Sequence, residues 1–145
     1  MNIIKAQIDN LKDLVPLFNG YRMFYKQSSD KDGVHHFLLE RLKNKDAVIF
    51  VAYINDKAVG FTQLYPLQSS VSMLAMYLLN DLYVDFNHRG KGIGQALIEK
   101  AKQLCVSENN KGLAIQTAYD NPAQHLYERL GFERETDLHF FWNSK

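Results

Sequence analysis

The chain has 145 residues, 46% of them hydrophobic and 23% charged, which is typical of one folded domain and too apolar for a disordered chain. The net charge of +1 argues against a nucleic acid as the main partner, because phosphate-binding proteins usually carry a clear basic excess. The single cysteine, Cys105, excludes an internal disulfide and favours the reducing cytoplasm. With no signal-peptide pattern and no long apolar run, we expect one domain, residues 1–145, without a membrane partner.

The first half of the chain predicts a strand, two helices and the first two strands of a meander. The spacing of apolar residues places these elements at residues 2–7, 9–25, 34–44, 47–54 and 58–65. Pro16 lies inside the first helical pattern, where a proline predicts a kink or a split. Residues 55–57 are expected to form a hairpin turn. Pro66 is expected to end or bulge the strand at residues 58–65, which follows this turn.

The second half predicts a long strand, a glycine-rich loop, and alternating helices and strands. The elements are expected at residues 73–84, 93–106, 113–117, 122–130 and 140–143, with a bulge in the long strand. Gly131 is the expected C-terminal cap of the short helix. The order β-α-α-β-β-β-α-β-α-β predicts a mixed α+β fold, mostly antiparallel, with one late parallel crossover.

The glycine-rich loop is the strongest motif. Gly90, Gly92 and Gly94 alternate directly before a predicted helix and shortly after a predicted strand. Glycine allows positive φ and a close approach of backbone to ligand, while the free N–H groups of the first helical turn favour an anion. The arrangement predicts a pyrophosphate site, but the spacing matches neither a Walker A loop nor a Rossmann fingerprint.

Two motifs identify a family. Arg89, Gly92 and Gly94 match the acyl-CoA loop Arg/Gln-x-x-Gly-x-Gly/Ala, and here the chain resembles the GNAT superfamily of N-acetyltransferases. The segment from Asn121 to Phe132 resembles the second signature of that family, with Asn, Ala and a Leu-Tyr pair before Gly-Phe. Within the family, the chain is similar to the diamine N-acetyltransferase and histone-acetyltransferase-like branches. The resemblance implies the GNAT fold and an acetyl-CoA-dependent N-acetyltransferase.

The resemblance also implies where acetyl-CoA binds. The residues it assigns to the cofactor are Leu82, Tyr83, Val84, Arg89, Gly90, Lys91, Gly92, Ile93, Gly94, Gln95, Asn121 and Ala123. Asn121 stands six residues before Tyr127, one fewer than in many relatives, so either Asp120 or Asn121 is expected beside the pantetheine arm. Leu82 is the expected position of the backbone N–H that polarises the acetyl carbonyl, in a strand segment that pairs with the pantetheine amides.

The implied mechanism is direct acetyl transfer within a ternary complex. Tyr127 is the expected general acid for the CoA thiolate, since a phenol with a pKa near ~10 is protonated at neutral pH; the alternative for this tyrosine is core packing. Asp81 interrupts an apolar strand, where an acid is costly unless it is solvated or serves a cationic substrate. Either Asp81 or a water molecule is the expected base, unless Asp81 instead binds neighbouring loop backbone.

The acceptor is an amine whose identity the sequence leaves open. Tyr21, Arg22 and Tyr25 are expected to line the acceptor groove with Asp81, or else to pack as a helical face. A polyamine, an amino acid and a protein lysine all remain candidates, and a non-catalytic acyl-CoA-binding regulatory module is the alternative function. The resemblance also implies a homodimer, because the family often pairs through its C-terminal strands; the aromatic end Phe140-Phe141-Trp142 fits this pairing or else caps the monomer's own core. The histidines lack metal-ligand spacing, so no metal site is expected.

Overall fold

The computed structural model describes residues 1–145 and contains one five-stranded sheet flanked by helices. The elements are β1 (Asn2–Lys5), α1 (Leu11–Phe24), α2 (Lys31–Asn44), β2 (Val48–Ile54), β3 (Lys57–Ser69), β4 (Leu74–Val84), α3 (Ile93–Ser107), β5 (Leu113–Ile115) and α4 (Gln124–Arg129). The strands lie in the order β1 to β5, antiparallel except for the parallel β4–β5 pair. The predicted mixed α+β fold class is confirmed. No helix combines the length and hydropathy that crossing a membrane demands.

Two hydrophobic cores cover the two faces of the sheet. Helices α1 and α2 pack over Ile49, Val51 and Phe61 on one face. Helix α3 packs over the residues on the other face, which include Tyr77 and Leu79, and α4 contributes partly buried side chains there. The alternation of side chains along each strand produces this division, because neighbouring residues of a strand point to opposite faces.

The structure corrects two details of the first helices. Pro16 does not split α1, which runs continuously from Leu11 to Phe24. Its ring is exposed, so the carbonyl group that loses its N–H partner in the preceding turn lies at the solvent side. Helix α2 begins at Lys31 rather than residue 34, because the side chain of Asp30 accepts a hydrogen bond from the Gly33 N–H and caps the first turn.

Pro66 does not end β3, and the register explains why. It pairs with Tyr77 of β4, and the Tyr77 N–H donates in the opposite direction, to Gly112 at 3.1 Å. The pair is therefore not hydrogen-bonded, and a proline N–H is not needed there. On its other side, β2 begins at Val48, opposite Leu64, so no neighbouring strand reaches Pro66.

The expected closing strand at residues 140–143 is absent, and the observed order ends with α4. Residues 133–145 form no regular element, and Phe140, Phe141 and Trp142 are each more than 80% exposed. A strand needs a partner for its backbone groups, and no strand of the chain pairs with this segment. The edge strand β5 has only three paired residues.

A bulge in β4, as predicted, shapes the centre of the sheet. Gln63 pairs with Asp81 and Leu64 with Leu79, so Asn80 is an extra residue without a partner in β3. Side-chain alternation changes phase at this point. Leu79 lies in the core under α3, whereas Asp81 faces α1, where Tyr21 donates a hydrogen bond to it. Without the bulge, residue 81 would share the face of Leu79.

Candidate active site

Beyond the bulge, β4 is open along one side. Its pairing with β5 covers only Tyr77 to Leu79, so residues 80–84 have no strand partner there. The Asp85 N–H donates to Val59 of β3 at 2.8 Å, which fixes the direction of the amides near the end of β4. By alternation, the N–H groups of Leu82 and Val84 point away from β3 into the open side. An extended chain bearing amides can pair with them as an added strand.

The glycine-rich loop follows directly and ends at the N-terminus of α3. Gly90 and Gly92 have φ of 78° and 77°, the left-handed region that favours glycine, and Gly92 is the N-cap of α3. The N–H groups of Ile93, Gly94 and Gln95 therefore begin the helix without carbonyl partners inside it. Their dipole and free donors favour a negatively charged group, which agrees with the predicted pyrophosphate site.

Packing beneath the loop fixes its distance from the sheet. Ile93 is 2% exposed and inserts into the core under α3. A Cβ atom on Gly60 would lie 3.0 Å from the Tyr83 carbonyl oxygen and 3.3 Å from Ile93 Cγ2, so a glycine in β3 lets the start of α3 approach. His88 Nδ1 lies 2.9 Å from Asp85 Oδ2 and ties the loop to its own beginning. This hydrogen bond lowers the pKa of Asp85.

Arg89, which the motif assigns to cofactor binding, contacts the protein itself in this structure. Its Nε donates to the Val84 carbonyl oxygen at 3.0 Å, and its guanidinium lies over three aromatic rings. The distances to the ring centroids are 5.1 Å for Phe24, 5.6 Å for Tyr83 and 5.7 Å for Phe86. These contacts place the cation beside the end of α1 and hold the loop against the open stretch of β4. Lys91 and Gln95 are exposed on the same loop and helix start.

Asp81 is buried at the floor of a groove and accepts three hydrogen bonds. Its Oδ1 receives the Tyr21 hydroxyl at 2.9 Å, and its Oδ2 receives the side-chain amides of Gln63 at 2.8 Å and Asn80 at 3.0 Å. Only 7% of the residue is exposed. The donors all come from side chains, so Asp81 is not bound to loop backbone.

Tyr21 links the acid to α1. Burial, followed by the charge of Asp81 and the hydrogen bond to it, raises the pKa of Tyr21, so the phenol is a donor at neutral pH. Tyr25 packs edge to face against Tyr21, with ring centroids 5.2 Å apart. Arg22 turns to the loop between the helices, where its Nη1 donates to the Ser28 carbonyl oxygen at 3.2 Å. Of the three residues predicted to line the acceptor groove with Asp81, Tyr21 is therefore the one that contacts the acid directly.

Tyr127 approaches this group from the other face of the sheet. It lies on α4 among the partly buried side chains of the core under α3 and packs against Phe132, with ring centroids 6.2 Å apart. Burial, and secondly the proximity of Tyr25, raises the pKa of Tyr127, and Tyr127 in turn contributes to the raised pKa of Tyr21. Tyr127 is thus close enough to Tyr21 and Tyr25 for the charges of these phenols to influence one another.

The Asn121 side chain serves local structure. Its Nδ2 donates to the Thr117 hydroxyl at 2.8 Å, and its Oδ1 accepts from the Ala123 N–H at 2.9 Å. The amide therefore holds the turn that leads into α4, and it places Ala123 as the N-cap of that helix. Asp120 is exposed and makes no side-chain hydrogen bond.

Two further residues bind Asp81 and are not among the predicted site residues. Gln63 is fully buried, its Nε2 binds Asp81, and its Oε1 has no hydrogen-bond partner. Asn80 is the bulged residue and donates to the same carboxylate oxygen. The sequence signal for Gln63 was a polar residue inside an otherwise apolar strand, between Phe61 and Leu64, the same signal that selected Asp81.

Cys105 lies outside this site. It is 5% exposed in the core under α3, and burial raises the pKa of its thiol, which favours the protonated form. The chain contains no group of three or more His, Cys, Asp or Glu side chains arranged to hold a metal ion.

Comparisons with known proteins decide the family. A family model for the acetyltransferase (GNAT) domain matches residues 45–134. The uncharacterized N-acetyltransferase YhfO of Bacillus subtilis (strain 168) is 44% identical over 145 residues, covering 99% of this chain and 97% of the relative. The chain belongs to the GNAT family of acetyltransferases. This GNAT chain is thus an N-acetyltransferase by its family and by its relatives.

Solved structures agree with the GNAT fold. The crystal structure of a probable acetyltransferase has a TM-score of 0.93 and 34% identity, covering 100% of this chain and 98% of that one. A structure of aminoglycoside N-acetyltransferase AAC(6')-Iy in complex with CoA has a TM-score of 0.83 and 18% identity, covering 99% of this chain and 95% of that one. At 18% identity, the second likeness concerns the fold alone.

Proposed function

We propose that this GNAT chain, as one domain of residues 1–145, transfers an acetyl group from acetyl-CoA to a primary amine by direct transfer in a ternary complex. The observation that carries the proposal is the open side of β4, where the N–H groups of Leu82 and Val84 lead to the glycine-rich loop and the N-terminus of α3. The open amides suit the pantetheine arm, and the loop suits the pyrophosphate. The relative solved with CoA has the same fold.

Three residues of the chain have separate roles in the proposed reaction. The Leu82 N–H is placed to polarise the thioester carbonyl, an interaction worth ~3 kcal/mol in other acyl-transfer enzymes. Asp81 binds the acceptor ammonium and takes one proton from it, directly or through a water molecule. The neutral nitrogen attacks the carbonyl carbon, the C–S bond breaks, and the thiolate receives the Tyr127 proton. The second proton that the nitrogen loses as the amide forms returns to Tyr127 through solvent. An amide and CoA thiol leave, one proton is released, and nothing is oxidised or reduced.

The raised pKa of Tyr127 supports its role as the acid. Burial disfavours the phenolate and raises the pKa of Tyr127, so the hydroxyl is protonated at neutral pH. The Tyr127 hydroxyl also makes no hydrogen bond within the chain, whereas Tyr21, Tyr53 and Tyr77 each donate to a carboxylate. A proton that is not committed to another group is available to a departing thiolate.

The C-terminal segment supports a homodimer. Leu138, Phe140, Phe141 and Trp142 are each more than 80% exposed, and a run of such residues is the usual mark of a protein–protein surface. We propose a second copy of the chain as the occupant, since β5 is a short edge strand with unpaired backbone groups on its outer side. The single buried thiol and the absence of any disulfide suit the reducing cytoplasm as the place of action.

The test combines binding with turnover. Calorimetry measures acetyl-CoA binding to the purified chain, and a thiol reagent measures CoA release with and without a panel of primary amines. The expected result is that acetyl-CoA binds to the chain and that CoA is released only when an acceptor amine is present. Binding without amine-dependent release, over polyamines, amino acids, aminoglycosides and lysine peptides, would instead identify an acyl-CoA-binding regulatory module.

A further inference from the structure

A cavity of about 400 Å³ lies between α1, α2 and the bulged part of β4. Phe18, Tyr21 and Phe37 form its apolar walls, and its charged groups are Asp81, Asp30 and Arg22. This volume is at the small end of the range for small-molecule sites. The cavity contains the acid assigned above to the acceptor amine, so its lining describes the acceptor.

The floor of the cavity is short of hydrogen-bond donors. A carboxylate offers about four acceptor positions, and Asp81 receives three donors, two of them on Oδ2. Beside it, the buried Oε1 of Gln63 receives none. An alkylammonium group carries three N–H donors and a positive charge, which matches both the vacant position on Oδ1 and the buried negative charge. The aromatic walls suit the methylene chain behind such a group.

The rim of the cavity carries one charge of each sign. Asp30 uses Oδ1 to cap α2 through the Gly33 N–H, and its second oxygen forms no hydrogen bond. Arg22 is held by one hydrogen bond to the Ser28 carbonyl and has no carboxylate partner. An acid and an unpaired guanidinium at one rim complement the ammonium and carboxylate of an α-amino acid.

We propose that the acceptor is a free diamino acid of the lysine or ornithine type, acetylated on its side-chain nitrogen. The side-chain ammonium binds Asp81, the α-ammonium binds Asp30, and the α-carboxylate binds Arg22. The two carboxylates and one guanidinium of the cavity have a net charge of −1, and a diamino acid at neutral pH has a net charge of +1. The products are the Nω-acetylamino acid, CoA thiol and one proton.

Other amines fit less well on the same grounds. A diamine places no anion beside Arg22, so one of its ammonium groups faces an unpaired guanidinium. A lysine within a protein offers neutral amides to both Arg22 and Asp30, which leaves two charges without partners at the rim. This inference rests on the proposed transferase function and narrows its acceptor.

The experiment measures kcat/KM by CoA release with L-lysine, L-ornithine, cadaverine, putrescine, L-norleucine and a lysine peptide with blocked ends. We expect at least about a tenfold preference for a diamino acid over the diamine of equal chain length, which corresponds to one charge-assisted contact of about 1.4 kcal/mol. L-norleucine, which lacks the side-chain amine, is expected to be inert. Mass spectrometry is expected to find the acetyl group on the side-chain nitrogen.

Two variants test the rim. Arg22→Gln is expected to reduce the preference for lysine over cadaverine to about twofold, with the acetyl-CoA KM unchanged. Asp30→Asn keeps an oxygen that caps α2 and is expected to raise the KM for lysine while the melting temperature stays near that of the parent. Equal or better turnover of the diamine or the peptide, or a preference that survives Arg22→Gln, would overturn the diamino acid proposal and leave the transferase function standing. No turnover with any amine would overturn both.

Discussion

At the scale of single residues, two ionisable side chains from distant parts of the chain carry the proposed chemistry. Tyr127 comes from α4 and Asp81 from β4, and both lie near Tyr21 of α1. Their environments differ. Asp81 is surrounded by donors, whereas the Tyr127 ring packs against Phe132 and its hydroxyl has no hydrogen-bond partner. A carboxylate with a free acceptor position and a buried phenol with an uncommitted proton suit proton transfer in opposite directions.

Replacing Tyr127 by Phe tests the acid. Removal of one hydroxyl is expected to lower kcat by about 100-fold or more, since a positioned general acid contributes that much, with little change in the acetyl-CoA KM. Because burial raises the pKa of Tyr127, the phenol loses its proton only above its ordinary value of about 10, and the alkaline decline in kcat is expected above that pH. Tyr119→Phe, at a residue 93% exposed, is the matched control and is expected to keep full activity. Unchanged turnover of Tyr127→Phe would assign that ring to packing alone.

Replacing Asp81 by Asn tests the acceptor anchor. The change keeps the size of the side chain but removes the negative charge that faces the amine. We expect kcat/KM for the amine to fall by about 100-fold, the loss typical of a charged hydrogen-bond partner, while acetyl-CoA binding measured by calorimetry is unchanged. Equal losses of acetyl-CoA affinity and amine turnover would indicate a structural role for the carboxylate instead.

At the scale of elements, the glycine-rich loop depends on one backbone conformation. Gly92 has φ of 77°, and a Cβ atom there would meet nothing within 4 Å. The cost of a substitution at Gly92 is therefore backbone strain and not a steric clash. Gly94 has an ordinary φ, and its Cβ would lie 3.9 Å from Val84 Cγ2, a normal contact. The two neighbouring glycines therefore offer a matched pair of alanine substitutions.

Gly92→Ala is expected to weaken acetyl-CoA binding by at least about fivefold, because a residue with a Cβ costs ~1 kcal/mol or more in the left-handed region. Gly94→Ala is expected to bind acetyl-CoA within about twofold of the parent. Isothermal titration of both variants measures the difference. Equal affinity of the two variants would show that the loop does not hold the cofactor in the conformation described.

The elements also show how far sequence reasoning reaches. Periodic apolar spacing located nearly every helix and strand, and the unusual length of the strand at residues 73–84 predicted its bulge, since these features depend on neighbours along the chain. The prediction for Pro66 was wrong because whether a strand accepts a proline depends on the register with Tyr77 and on where β2 begins. The Tyr21–Asp81 hydrogen bond joins residues 60 positions apart, so no local pattern could reveal it. The same is true of the contact between Gln63 and the acid.

At the scale of the whole molecule, the C-terminal segment is the part whose large apolar side chains pack against nothing in a single chain. Its closing strand was expected from aromatic composition, but a strand forms only where another strand offers hydrogen bonds. Trp142 is the only tryptophan of the chain and is 84% exposed. Its fluorescence therefore reports directly on whether this segment is covered.

We expect the chain to sediment as a dimer, with Trp142 emission shifted to the blue and protected from acrylamide quenching. The double substitution Phe140→Ser and Phe141→Ser removes two exposed rings and is expected to give a monomer with a red-shifted, quenchable Trp142. The parent core is untouched by this change, so far-UV circular dichroism serves as the control for folding. A monomeric parent whose Trp142 is fully quenched would rule out the homodimer.

The bulge at Asn80 has a consequence for how this protein tolerates change. The side chain of Asn80 is exposed, so many residue types can stand there at the cost of one hydrogen bond to Asp81. The bulge can also be lost by deletion. Without Asn80, Leu79 and Asp81 would be adjacent and still opposite Leu64 and Gln63, so alternation would keep Asp81 on the face of α1 and the Leu82 N–H on the open side. Loss of the bulge with Asn80 retained would instead turn Asp81 into the core under α3. Substitution and deletion at position 80 are thus both compatible with the placement of the acid, whereas straightening the strand without a deletion is not.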